Sequence, residues 1–318
     1  MNVRRHHISG IAIAAATALG LGALSACSTD SAAAGNTDKF DVVASFYPME
    51  FLAERIGGAH VHVTTLTEPG QEPHDLDISA RQRGLLEESD AALWLSGLQP
   101  AVDEAVGQSS VGTKIDAAEL TELRHAEGED GHDHGDDHGD HDHEGGLDPH
   151  VWTDPVKYAE IAEGVGKAFE KADPDHAADY RRNTAALVAE LGRLNTDIAD
   201  GLKNTRSKVF FTNHASFGYF AERYGLTQEA VSGLDPESEP SPARIKELHE
   251  EAEADGVTTV FYETLVSGKT AKTLASDAGL RTDVLDPVEG ITDQSRGDDY
   301  VQVMRANLKA LQTALGTK

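Results

Sequence analysis

The sequence predicts an α/β fold with two lobes, each built on a parallel sheet and joined by one long rigid helix. Three observations carry this reading. Short apolar runs alternate with amphipathic stretches, the signature of βαβ units. That alternation gives way to an uninterrupted helical pattern over 174–204 and then restarts. Beyond a leader, about 290 residues remain, more than a single core usually serves.

Taken in order, the chain has Arg4-Arg5-His6-His7 near its start and then runs from Ile8 to Leu24 on small or apolar residues. A charged segment before a short apolar one reads as a signal peptide over 1–26. The run is too short and too diluted by Ser9, Gly10 and alanine for a typical membrane span of about 20 apolar residues. It ends in Leu24-Ser25-Ala26-Cys27, which resembles a lipobox, so Cys27 is expected to carry a lipid and 27–38 to act as a small, polar tether. The chain is then expected to be exported and held at the outer face of the cytoplasmic membrane. Cys27 is the only cysteine. Intrachain disulfides and thiolate metal clusters are thereby excluded, which leaves metal chemistry to His, Asp and Glu.

Without the leader the chain carries 25 basic against 55 acidic residues. Such a polyanion repels phosphate and attracts cations, which argues against a nucleic-acid partner.

The first lobe, 39–172, contains strand-like runs at 41–45, 61–66 and 91–95, with helical patterns at 48–56 and 78–88. Residues 124–146 interrupt it with His, Asp, Glu and Gly and no large apolar side chain. A tract of that composition cannot bury enough surface to fold alone and reads as a disordered loop. A helix follows at 155–171. Asp173-Pro174 then looks like a cap for the linking helix, 173–204, where Leu187, Leu191, Leu194 and Ile198 recur at helical spacing. Its expected length is up to ~45 Å. The second lobe, 205–318, has strand patterns at 208–212, 257–262 and 282–285 and helical ones at 215–224, 242–254, 268–278 and 300–315. Each lobe is therefore Rossmann-like.

Three polar residues fall just past strands: His74 after 61–66, His214 after 208–212 and Glu289 after 282–285. In open α/β sheets that is where ligands bind. His150, in Asp148-Pro149-His150-Val151-Trp152, lies in a connection without a clear strand. His74 and His150 belong to the first lobe, His214 and Glu289 to the second, so a metal could sit between them. Three imidazoles and a carboxylate suit Zn²⁺.

From Phe40 onward the sequence resembles the metal-specific ABC-transporter solute-binding proteins, the zinc and manganese receptor family, some once called adhesins. The matching motifs are Asp41-Val42-Val43-Ala44-Ser45-Phe46-Tyr47-Pro48, Glu72-Pro73-His74-Asp75, the His-rich insertion, Asp148-Pro149-His150-Val151-Trp152, Asn213-His214-Ala215-Ser216-Phe217 and Leu285-Asp286-Pro287-Val288-Glu289-Gly290. The resemblance implies that His74, His150 and His214 are ligands. The fourth place falls to Glu289, Asp286, Glu263 or water. It further implies a monomeric receptor, not an enzyme, that passes Zn²⁺ to a membrane permease. Mn²⁺ or Fe²⁺ is the alternative cargo; imidazole at position 214 favours zinc.

His125, His132, His134, His138, His141 and His143 lie among nine acidic residues and are expected to form an auxiliary, low-affinity zinc tract. The spacing of a metallohydrolase, His-x-His-x-Asp-His, fails there, because the run from His132 ends in Asp137. His60 and His62 are expected to face solvent along a strand, and His176 and His249 to lie on polar helix faces, all without chemistry.

Overall fold

Strand β1 (Phe40–Ala44) is buried on four of its five residues, as a central parallel strand covered by helices on both faces must be. It is flanked by β2 (Val61–Thr65) and β3 (Ala91–Trp94), with β4 (Thr113–Asp116) beyond, in the order β2-β1-β3-β4, every pair parallel. The second sheet repeats this arrangement: β5 (Val209–Thr212), β6 (Thr227–Ala230), β7 (Thr259–Tyr262) and β8 (Arg281–Val284) lie in the order β6-β5-β7-β8, again all parallel. The two-lobed α/β architecture read from the sequence is the one observed.

The computed structural model describes residues 39–125 and 146–317. The leader, Cys27, the tether and His132, His134, His138, His141 and His143 lie outside the described residues.

Around the first sheet pack α1 (Tyr47–Gly57), α2 (Ala80–Glu88), α3 (Pro100–Gln108) and α4 (Pro155–Ala172); the linking helix is α5 (Ala177–Leu202); the second sheet carries α6 (Gly218–Tyr224), α7 (Pro242–Ala254), α8 (Lys269–Ala278) and α9 (Tyr300–Leu315). Among the described residues no helix is long and apolar enough to cross a membrane.

Helix α5 is about 39 Å long at 1.5 Å per residue. Its stripe Leu187, Leu191, Leu194 and Ile198 is buried against α1 and α4 on one side and α9 on the other, each side chain contributing about 1.5–3 kcal/mol relative to exposure. Close approach of α4 and α5 depends on Gly166, where a Cβ would meet Thr184 Oγ1 at 2.3 Å. The result is one continuous core running from Val42 and Phe46 in the first lobe through α5 to Phe210, Tyr300 and Leu315 in the second. Smaller apolar clusters cover the outer face of each sheet.

Several details differ from the sequence reading. Helix α5 starts at Ala177, after a 3-10 turn over Pro174–His176. Asp173 does not cap it: its carboxylate accepts a hydrogen bond from Tyr180 (2.6 Å) and pairs with His176 Nδ1 (2.7 Å). His60 lies not in a strand but at the end of a 3-10 turn, Gly58–His60. Helix α3 and strands β4 and β6 had no counterpart in the sequence reading; β4 and β6 are four-residue edge strands whose polar residues give no alternating signal.

Candidate metal centre

Four side chains from four connections meet where the carboxyl ends of the two sheets face each other. His74 sits in the turn after β2, its N–H donating to Glu72 Oε1 (3.0 Å). His150 precedes a 3-10 turn, Val151–Thr153, that leads into α4, which Asp154 caps by accepting from Val156 N. His214 follows β5 directly, and Thr212 Oγ1 donates to its carbonyl (2.8 Å). Helix α6 therefore begins at Gly218, later than the sequence pattern implied. Glu289 follows β8.

The His74, His150 and His214 rings and the Glu289 carboxylate present one ligand atom each within 4.8 Å of one another. His150 Nε2 is 3.3 Å from His74 Nε2 and 3.3 Å from His214 Nε2. Glu289 Oε1 lies 3.5, 3.6 and 3.4 Å from the Nε2 atoms of His74, His150 and His214. For a tetrahedron with Zn–N bonds of 2.0–2.1 Å, the ligand-to-ligand edge is about 3.3–3.4 Å. The two His–His edges and the His214–Glu289 edge have the length that a four-coordinate zinc ion requires, and the edges from Glu289 to His74 and His150, at 3.5 and 3.6 Å, are slightly longer.

Burial sharpens the argument. The side chains of His150, His214 and Glu289 are fully buried, and His74 alone keeps 11% exposure, so access from solvent is on the His74 side. Neither Glu289 oxygen has a partner in hydrogen-bonding geometry among the described residues. A buried carboxylate left so is costly unless a cation answers it.

The opposite ring nitrogens are occupied. Asp148 Oδ1 pairs with His150 Nδ1 (2.9 Å) and also accepts from the His150 backbone N–H (3.0 Å). Glu263 Oε1 pairs with His214 Nδ1 (2.6 Å). Such carboxylate partners fix the ring orientation and leave Nε2 facing the other three side chains of the cluster. The two competing carboxylates have partners of their own. Glu263 orients His214, and Asp286 accepts from Val288 N (2.8 Å), Thr264 Oγ1 (3.0 Å) and Ser295 Oγ (3.1 Å), bracing the turn that carries Glu289. Asp148 was not singled out from the sequence, although its place two residues before His150 was the available signal.

Electrostatics follow from this packing. Burial pulls the His214 imidazole down, but Glu263 and Glu289 outweigh it and hold its pKa at about 10. At His74, burial is likewise outweighed, by Glu289 and Glu72, and the pKa rises. At His150 burial prevails over Asp148 and the pKa falls. Burial works to raise the Glu289 pKa, but His214 and His74 overcome it and keep the carboxylate ionised far below its ordinary range.

His125 is exposed and forms an isolated antiparallel bridge with Leu147. His62 pairs with Asp41 (3.1 Å), and His60 stacks on His176 with ring centroids 4.0 Å apart.

Residues 42–314 match the family described as "Zinc-uptake complex component A periplasmic". The chain is 34% identical over 296 residues to the zinc-binding lipoprotein AdcA of Streptococcus pneumoniae, covering 91% of this chain but only 58% of that relative's length. It is 32% identical to the high-affinity zinc uptake system protein ZnuA of Bacillus subtilis over 98% of both chains. Among solved structures, the Zn(II)-bound ZnuA-like domain of S. pneumoniae AdcA superposes with a TM-score of 0.72 at 30% identity (87% of this chain, 99% of that one). The laminin-binding protein Lmb of Streptococcus agalactiae does so at 0.76 and 29% (87% and 99%).

Proposed function

The chain belongs to the zinc-uptake complex component A family, and from that premise we propose that it is an exported receptor that captures Zn²⁺ between its two lobes and delivers it to an ABC-transporter permease. His74, His150, His214 and Glu289 are the proposed ligands, Cys27 the lipid anchor, and the His-rich tract an auxiliary collector. The observation that carries the reading is the cage itself: a buried, ionised carboxylate oxygen at 3.4–3.6 Å from three imidazole nitrogens.

The chemistry of capture follows from these residues. Asp148 and Glu263 hold the His150 and His214 rings so that little side-chain entropy is lost when the ion arrives. Glu289 supplies one negative charge, leaving a site of net charge +1 with Zn²⁺ bound. Because all four positions of a tetrahedral ion are filled by protein, no open position remains for a reacting water, which favours capture over hydrolysis. Imidazole-rich coordination favours Zn²⁺ over Mn²⁺.

The test is calorimetric titration of metal-stripped protein beginning at Ser28, with and without residues 126–145. The expected result is one tight Zn²⁺ site that survives the deletion and binds Mn²⁺ far more weakly. Loss of all tight binding with the deletion would move the site into the His-rich tract and overturn the ligand set.

A further inference from the structure

Glu289 reaches the cage from a turn that is out of its preferred conformation. Val288 has φ +62°, the one non-glycine residue with positive φ among the described residues. A β-branched residue there is an outlier that persists only where the surroundings impose it. On the second lobe's own side, Asp286 Oδ1 accepts from Val288 N (2.8 Å), and Asn307 on α9 exchanges two hydrogen bonds with the Asp286 backbone (3.0 and 2.7 Å).

The remaining hold comes from the other lobe. Trp152 Nε1 donates to the carbonyl of Pro287 at 2.7 Å, fully buried. Trp152 stands two residues after His150, and Pro287 two residues before Glu289, so this bond ties one ligand turn to the other across the cleft. The indole has little freedom: Phe46 packs edge-on against it with centroids 5.0 Å apart, and Tyr300 Oη donates to the Trp152 carbonyl (2.7 Å).

We propose that Trp152 is a positioning residue for metal selection: its indole N–H, bonded to Pro287 across the lobes, holds Val288 in its strained conformation and keeps the Glu289 carboxylate turned toward His74, His150 and His214. The proposal rests on the receptor reading above and deepens it. Without the bond, Val288 relaxes toward negative φ and the carboxylate swings out of line with the three imidazoles. Three histidines then remain, with positions open to water. Both ions lose a carboxylate, but the loss is greater for tetrahedral Zn²⁺ than for Mn²⁺, which completes an octahedral shell with water.

The test compares the full mature chain with Trp152→Phe, which removes the donor and keeps an aromatic ring, by Zn²⁺ and Mn²⁺ titration and by the visible d–d spectrum of bound Co²⁺. Zinc affinity is expected to fall about 10- to 100-fold, the range for losing an outer-shell hydrogen bond at a metal site. Mn²⁺ affinity should fall less, so that the zinc-to-manganese ratio falls, and the Co²⁺ bands should weaken as four-coordination is lost. An unchanged ratio and Co²⁺ spectrum, or an equal loss for both metals with the tetrahedral spectrum intact, overturns the proposal, since a role in folding alone gives that result. Should Trp152→Phe not fold, the sulfur isostere of tryptophan (benzothienylalanine) at position 152 in a Trp94→Phe background removes only the N–H and decides by the same criteria. Failure of the parent protein to bind Zn²⁺ tightly would instead sink the receptor reading, before any variant is compared.

Discussion

The molecule contains two groupings of histidine with acidic residues that look alike in the sequence and differ completely in space. In the first, His74, His150 and His214 turn their Nε2 atoms toward one another and toward Glu289, at 3.3–3.6 Å, with Glu72 Oε1 beyond at 3.9 Å from His74. In the second, at the opposite end of the first sheet, His60 Nε2 meets Asp179 Oδ2 at 2.7 Å and His176 Nδ1 meets Asp173 Oδ2 at 2.7 Å, while the two rings stack. The distal rings each point at a carboxylate of their own and diverge from any common point. What distinguishes a ligand set from a satisfied pair is convergence with unfilled bonding capacity, which burial makes costly; residue type and proximity are common to both.

The sharpest way to break this contrast is to remove one converging ring. His214→Ala should lower zinc affinity by more than about 100-fold, beyond the range for outer-shell partners, as read by competition against a chromophoric chelator. Retention of tight stoichiometric binding would mean that the cage is not the site. Next in size come the carboxylates behind the rings. Asp148→Asn and Glu263→Gln keep shape and lose charge, and each should weaken zinc about 10- to 100-fold while leaving one bound ion per chain. A loss as large as that of His214→Ala would make the carboxylate a ligand in its own right.

Most of the fold was legible in the sequence, because buried parallel strands such as 209–212 and the leucine stripe of α5 print their periodicity directly. His74, His214 and Glu289 were legible as positions past strand ends, whereas His150 lay in a connection without a clear strand and joined them only through the motifs shared with a known family. What was illegible is relational. Glu263 and Asp286 competed with Glu289 on sequence grounds, and the direction of each side chain, which sequence does not carry, is what differs between them. The β4 and β6 edge strands bury too few side chains to show a pattern, and the cap expected at Asp173 failed because Tyr180 and His176 compete for the same carboxylate.

A third effect tests the charge state of the converging set. With its pKa held at about 10, His214 is protonated in the metal-free protein at neutral pH, and zinc must displace that proton. Zinc affinity should therefore rise with pH from 6 to 8, by up to about tenfold per unit for each proton released. The sign for stability is the reverse: a raised histidine pKa favours the metal-free fold fully below 6.5 and progressively less as pH climbs toward 10. Titrations in two buffers of different ionisation enthalpy count the protons directly. A pH-independent affinity with no proton release would show that the cage is already neutral at its imidazoles.

The smallest effect is expected at the distal pair, and its smallness carries the argument. His60→Ala removes one half-exposed hydrogen bond and a ring stack, which costs about 1 kcal/mol or less once solvent screening is allowed for. Urea unfolding of the metal-free protein measures this. Zinc affinity and stoichiometry should stay within about twofold of the parent, as for a surface substitution far from the site. If a second equivalent of zinc bound the parent protein lacking residues 126–145 and disappeared with His60→Ala, the distal cluster would be a metal site after all. Convergence in one static arrangement would then be too strict a criterion, because the His60 and His176 rings would have had to turn away from Asp179 and Asp173 to share an ion.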